Sequence, residues 1–277
     1  MGKLLCANFS RLGKSKIFYL TPIALFVFFL VGCLYETSMV QGLLDQGYER
    51  SIDQNFFYLM PHLGVFQAVF ISFFLGTEYS DGTIRNKLIA GHRRSHIYIS
   101  NYLTCLAVSC LFLVLGWIAW IPLIQTVGPL EMGLSGFLLY ALAALGFTAV
   151  YAAVFTLVAS LTPNKALTVI LTLILWLGMI VAGSGLIDRL NEPEFSGGMA
   201  YIDGEFVEVP STPNPLYLTG TVRTVCEFFR DLLPSSQAIL MSNAEIIEPG
   251  RCFFFSTVLT AVLTFLGTAA FRRKDIQ

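Results

Sequence analysis

Hydrophobic and polar positions alternate along this chain in long blocks rather than in a helical or strand period. Six apolar runs cover roughly 17–35, 56–76, 102–124, 137–161, 166–187 and 253–271, and none contains Asp, Glu, Lys or Arg. Each run is about the 17–25 residues a helix needs to cross a hydrocarbon core. The pattern predicts six transmembrane helices with both termini on one side. Residues 1–16 differ: Leu4, Leu5, Phe9 and Leu12 interleave with Lys3, Arg11, Lys14 and Lys16 at helical spacing. They predict an amphipathic helix on the membrane surface. The expected class is therefore an all-α integral membrane protein, a single transmembrane domain over 1–277.

Composition supports the class. Of the 277 residues 55% are hydrophobic and only 13% charged, against about 25% charged in soluble domains. The net charge of -1 hides a strong asymmetry. The side holding 1–16, 77–101, 162–165 and 272–277 carries twelve of the 17 basic residues and three of the 18 acidic ones. By the positive-inside rule that side is cytoplasmic, so the expected location is a cell membrane, multi-pass, with both termini inside. Nothing in this balance points to nucleic acid.

The one long polar segment on the basic side is Thr77–Tyr98, TEYSDGTIRNKLIAGHRRSHIY. Asp81 is an expected N-cap and Gly91 an expected C-terminal stop. Ile84 and Leu88, four apart, share one face of the short helix between them. A capped helix held between two spans suits docking onto a soluble partner. On the opposite side, 188–252 is long enough for structure of its own. Asp203-Gly204 between apolar arms is a hairpin signal. Val222, Val225, Cys226, Phe229, Leu232 and Leu233 mark an amphipathic helix ending at Pro234, which either dips into the membrane edge or caps the bundle.

Catalytic signals are missing. Gly13-Lys14-Ser15 ends like a phosphate-binding loop, but Asn8 stands where the first glycine belongs, and a membrane span follows. There is no HExxH and no GxSxG. The spans carry no acid to relay protons or hold a coupling ion. The six cysteines lack CxxC spacing, which argues against zinc. Cys33, Cys105 and Cys110 read as packing residues, while Cys226 and Cys252 lie on one side and leave a disulfide open. No catalytic, cofactor-binding or metal residue is expected, and the energy source is expected outside the chain.

The segment Glu78–Tyr98 resembles the first cytoplasmic loop of type-2 ABC-transporter (ABC-2-type) permeases, in which a Glu and a Gly precede a run close to IRNKLIxG. The ending Phe271–Ile276 and the start Asn8–Phe18 are similar to the family's as well. The resemblance implies two permease subunits, identical or related, paired with two ABC ATPase subunits that carry ATP and Mg. It implies that residues 1–16 form a connecting helix, that 222–241 include short re-entrant helices, and that substrate moves outward along the dimer interface. It makes Glu78, Gly82, Ile84, Arg85, Asn86, Lys87, Leu88 and Gly91 the ATPase-coupling residues. In that reading Ile84 and Leu88 enter an apolar notch on the ATPase. Arg85, Lys87, Arg93 and Arg94 meet its acids or lipid phosphate, and Glu78 holds the loop to the connecting helix or to a basic partner. The expected function is export of a hydrophobic or amphipathic substrate such as a peptide, antibiotic or lipid. The alternative is a non-transporting membrane scaffold or sensor that docks a regulator through 77–98.

Overall fold

A computed structural model describes residues 1–46, 56–122, 131–202, 205–243, 245 and 248–274. Six helices in it are long and apolar enough to span a membrane. Helix α1 (Gly2–Lys14) precedes α2 (Lys16–Leu44). A 3-10 turn, Met60–His62, leads into α3 (Leu63–Ser80). Then come the short α4 (Thr83–Ile89), α5 (Arg94–Ala119), α6 (Gly133–Leu161) and α7 (Lys165–Leu190). The strands β1 (Phe195–Ile202) and β2 (Glu205–Pro213) are followed by α8 (Gly220–Leu232), α9 (Pro234–Ser242) and α10 (Pro249–Arg273). The spans are α2, α3 with its leading turn, α5, α6, α7 and α10.

The helices outrun the apolar runs that predict them. The third span begins at Arg94 rather than near residue 102, and the second continues through Glu78 to Ser80. Hydropathy marks only the part of a helix that lipid solvates. The backbone hydrogen-bond ladder continues past that boundary wherever packing holds it.

Packing follows residue size. The apolar stretches of α3 and α6 are 61% buried, whereas those of α2, α7 and α10 are at most 22% buried. So α3 and α6 form the centre and the other three line the outside. The small residues of α6 do this work. Ala143, Ala144, Gly146, Ala152 and Ala153 are all buried, and a Cβ on Gly146 would stand 3.0 Å from Ser256 of α10. Small residues let helix backbones approach closely in lipid. Gly64 likewise makes room for Trp176, whose ring would lie 2.6 Å from an added Cβ.

At the acidic end of the bundle, β1 and β2 pair antiparallel with Ile202 opposite Glu205. The expected turn residues Asp203 and Gly204 lie outside the described residues. Gly197, at φ 131, sits at a register shift where a Cβ would meet the Pro210 carbonyl at 2.7 Å, so only glycine fits. Helix α9 is buried along nearly its whole length against α6, α7 and α8. Helix α8 keeps Val222, Val225, Phe228 and Phe229 exposed and buries only Asp231. Cys226 and Cys252 are both free thiols.

Candidate docking site at the basic end of the bundle

Helix α3 ends at Ser80 with Asp81 as its C-cap, and two residues after Asp81 α4 begins. The expected N-cap at Asp81 is therefore corrected. Gly82, in the left-handed conformation at φ 66, is the N-cap residue, and Asp81 closes α3 instead. With so short a connection the chain must reverse at one residue, and glycine does so without a Cβ clash. The far end of α4 matches expectation. Gly91 is left-handed at φ 80, its N–H donates to the Leu88 carbonyl at 2.9 Å, and the His92 N–H donates to the Lys87 carbonyl at 3.2 Å. These two bonds form a Schellman motif that satisfies the last carbonyls.

Ile84 and Leu88 share a face, as their spacing demands, but the face points inward. Ile84 is buried with Leu4 of α1, Ile97 and Tyr98 of α5 and Phe271 of α10, and Leu88 packs on the same cluster. Ile84 and Leu88, the pair expected to meet an ATPase, face this chain's own bundle, Ile84 buried and Leu88 partly so. An amphipathic helix turns its apolar stripe to its own core, and four elements of this chain supply one. Sequence reasoning passed over Ile89. Five positions on from Ile84, it lies about 140° around the helix and is 84% exposed. Arg85, Asn86, Ala90 and Gly91 are exposed beside it. The signal was present as one apolar residue off the stripe.

Beneath α4 lies Glu78, fully buried near the end of α3. Its carboxylate pairs with Arg11 of α1 at 2.6 Å and with Lys87 of α4. Asn101 of α5 donates to its second oxygen at 2.6 Å. Lys87 also donates to the side-chain oxygen of Asn8 at 2.8 Å, and Asn8 donates to Asn101 at 2.9 Å. The Arg11 guanidinium stands 4.0 Å over the Phe74 ring. An unpaired buried carboxylate would be very costly, and here two cations and an amide compensate it. Burial draws the pKa values of Lys87 and Arg11 down, and Glu78 opposes that shift. The cluster joins α1, α3, α4 and α5 through one anion. Lys87 is thus an inward tie, not an outward docking cation as expected. Asn8 and Asn101, absent from the expected set, complete the cluster.

The other cations divide. Arg93 is exposed. Arg94 donates to the carbonyls of Arg272 and Lys274, so it closes the C-terminus of α10, where a cation meets the negative end of the helix dipole. Lys274 in turn donates to the Ser160 carbonyl of α6 at 3.0 Å and stands 4.0 Å over the Tyr79 ring. Burial lowers its pKa. Of the eight expected coupling residues, Arg85, Asn86 and Gly91 lie on the open face, Gly82 turns the chain, and Glu78, Ile84, Lys87 and Leu88 hold α4 down.

The six spans, the polar loop helix and its seat on the bundle accompany a match of the family described as ABC-2 family transporter protein to residues 4–178. The chain belongs to that family. The matched part covers α1 to α6 and the first half of α7, so it includes the whole cluster around Glu78. No curated protein matches the chain. As an ABC-2 permease, the protein is a transmembrane component of an ABC transporter with no ATPase site of its own, and membership implies partnership with an ABC ATPase.

Proposed function

We propose that this permease receives its power stroke on the exposed face of α4, where Ile89, Arg85, Asn86 and Ala90 dock an ABC ATPase. The observation that carries this reading is Ile89: a large apolar side chain, 84% exposed, on a short capped helix whose opposite face is fixed to the bundle. An exposed apolar side chain beside polar ones suits a protein contact, and Arg85 and Asn86, exposed on the same helix, give that contact its charge and hydrogen bonding. The Glu78 cluster and the Ile84 cluster then act as the transmission. A push on α4 reaches α1, α3 and α5 through one carboxylate, and α10 through Phe271. Rigid helices carry such a displacement as a shift of whole elements.

In this reading the basic end and both termini are cytoplasmic, and the whole chain acts as one permease domain in a cell membrane. ATP and Mg sit on the ATPase. A second permease subunit, the same or related, covers part of the apolar surface that α2, α7 and α10 leave open. The cargo is hydrophobic or amphipathic and leaves along that interface. The buried α9 and the amphipathic α8 are the re-entrant pair on the outer side.

The test is copurification of the ATPase encoded with this chain, followed by its hydrolysis rate in lipid. The wild type is expected to retain the ATPase and stimulate it. The Ile89→Asp protein is expected to insert and remain monodisperse but lose both. Retention and stimulation equal to wild type would contradict the docking face. Retention without any stimulation or transport in the wild type would favour a scaffold.

A further inference from the structure

A second feature of the basic end lies outside the coupling cluster. Where α3 ends and α7 begins, an open groove of about 790 Å³ runs along the bundle surface. Its floor is Phe73, Ala166, Val169 and Ile170, and its rim is Ser80, Asn164 and Lys165. Phe73 is two turns below Ser80, roughly 10 Å at the rise of an α-helix. The groove therefore passes from a polar rim to an apolar floor along the direction in which a bilayer changes from head group to acyl chain.

Lys165 is held in place at that rim. Its stem lies against Gly76, where an added Cβ would stand 3.0 to 3.2 Å from three Lys165 atoms. The ammonium stands 5.0 Å over the Phe73 ring. Among the described residues, no carboxylate lines the groove. The Asn164 side chain accepts from the amides of Ala166 and Leu167, so α7 is already capped, and among the described residues that line the groove the Lys165 ammonium is the cation that can meet a ligand. Like a snorkelling lysine, it lays its stem along apolar surface and keeps its ammonium at the polar rim, here directly above an apolar trough.

We propose that the groove holds an anionic phospholipid of the cytoplasmic leaflet, its phosphate at Lys165 and an acyl chain along Phe73, Val169 and Ile170. The proposal rests on the membrane orientation given above but not on ATPase docking. The bound lipid fills a cleft between α3, which carries Glu78, and α7, on the outside of the bundle. It thereby links the leaflet's charge to the helix that bears the coupling carboxylate.

The test uses the full chain alone in nanodiscs of phosphatidylcholine, with a trace of phosphatidylglycerol carrying a photoactivatable group on one acyl chain. Peptide mapping is expected to place the label on Phe73, Val169 or Ile170. Lys165→Gln should reduce labelling about five-fold, the equivalent of the ~1 kcal/mol a lysine contributes at an anionic surface. Lys165→Arg should restore it. Val169→Trp, which fills the trough, should abolish it, and Lys14→Gln on α1 should leave it unchanged. A phosphatidylcholine probe should label no better than the Lys165→Gln protein. Equal labelling by the two lipids, or labelling indifferent to Lys165→Gln, overturns the proposal. So does an Ile170→Cys protein that oxidises to a dimer while taking up no lipid label, which would assign the groove to a second copy. With no ATPase in the discs, failure here leaves the docking face of α4 untouched, and failure of docking leaves this site untouched.

Discussion

The two ends of the bundle solve the same problem differently. At the basic end a carboxylate with no solvent exposure gathers ties from α1, α4 and α5. At the acidic end Asp231, only 8% exposed at its side chain, pairs with Arg230 at 2.9 Å and Arg251 at 3.1 Å, both substantially solvated. The Asp231–Arg251 pair joins α8 to α10 at the solvated edge, and the buried tie between elements is a neutral amide. Gln237 of α9 donates to the Asp231 carbonyl at 2.6 Å and accepts from Ser256 of α10 at 2.9 Å. Solvated ion pairs are weak, about 0 to 1 kcal/mol, whereas a buried pair loses heavily when one partner goes. The basic end ties four helices to one anion and leaves one face of α4 free. The acidic end closes a short helix into the core.

Mutations should separate the ends by size of effect. Glu78→Ala leaves Arg11 and Lys87 without their anion, and is expected to cost ~3–5 kcal/mol. A large loss of thermal stability in the purified permease would register it. A drop no larger than that of a surface substitution would remove Glu78 from the centre of the account. Ile84→Asp places a charge among Leu4, Tyr98 and Phe271 and should likewise unfold this end, read as protease sensitivity of α1 and α4. At the other end Gln237→Ala removes one donor and one acceptor from buried partners, a cost of ~1–3 kcal/mol. Asp231→Asn should cost least of these, below ~1 kcal/mol, because its arginines remain hydrated. If the Asp231 change exceeded the Glu78 change, the contrast between the ends would be reversed.

Much of this was legible in the chain. Blocks without charge predict six spans because lipid leaves a backbone no partner but itself, and the basic bias marks one end. Gly91 as a stop follows from its place after the last helical residue. The direction of α4 was not legible. Ile84 and Leu88 announce an apolar face, yet whether that face meets a partner or its own bundle depends on Leu4 and Phe271, more than 75 residues away on either side. The same holds for Lys87, whose anion arrives from α3 and whose amide partners, Asn8 and Asn101, come from two other helices. Spacing shows which residues are neighbours on one helix; it is silent on what that helix leans against.

Ile89→Asp has the smallest expected effect on the fold, within ±0.5 kcal/mol for an exposed site, and the largest on partnership. That contrast makes position 89 the place to probe. A photo-crosslinking amino acid placed there, in membranes that also hold the partner ATPase, should form an adduct with the ATPase. The same group at Phe229 on α8 should form none. An adduct from position 229 with none from position 89 would contradict the claim that the free face of α4 is where this permease is driven.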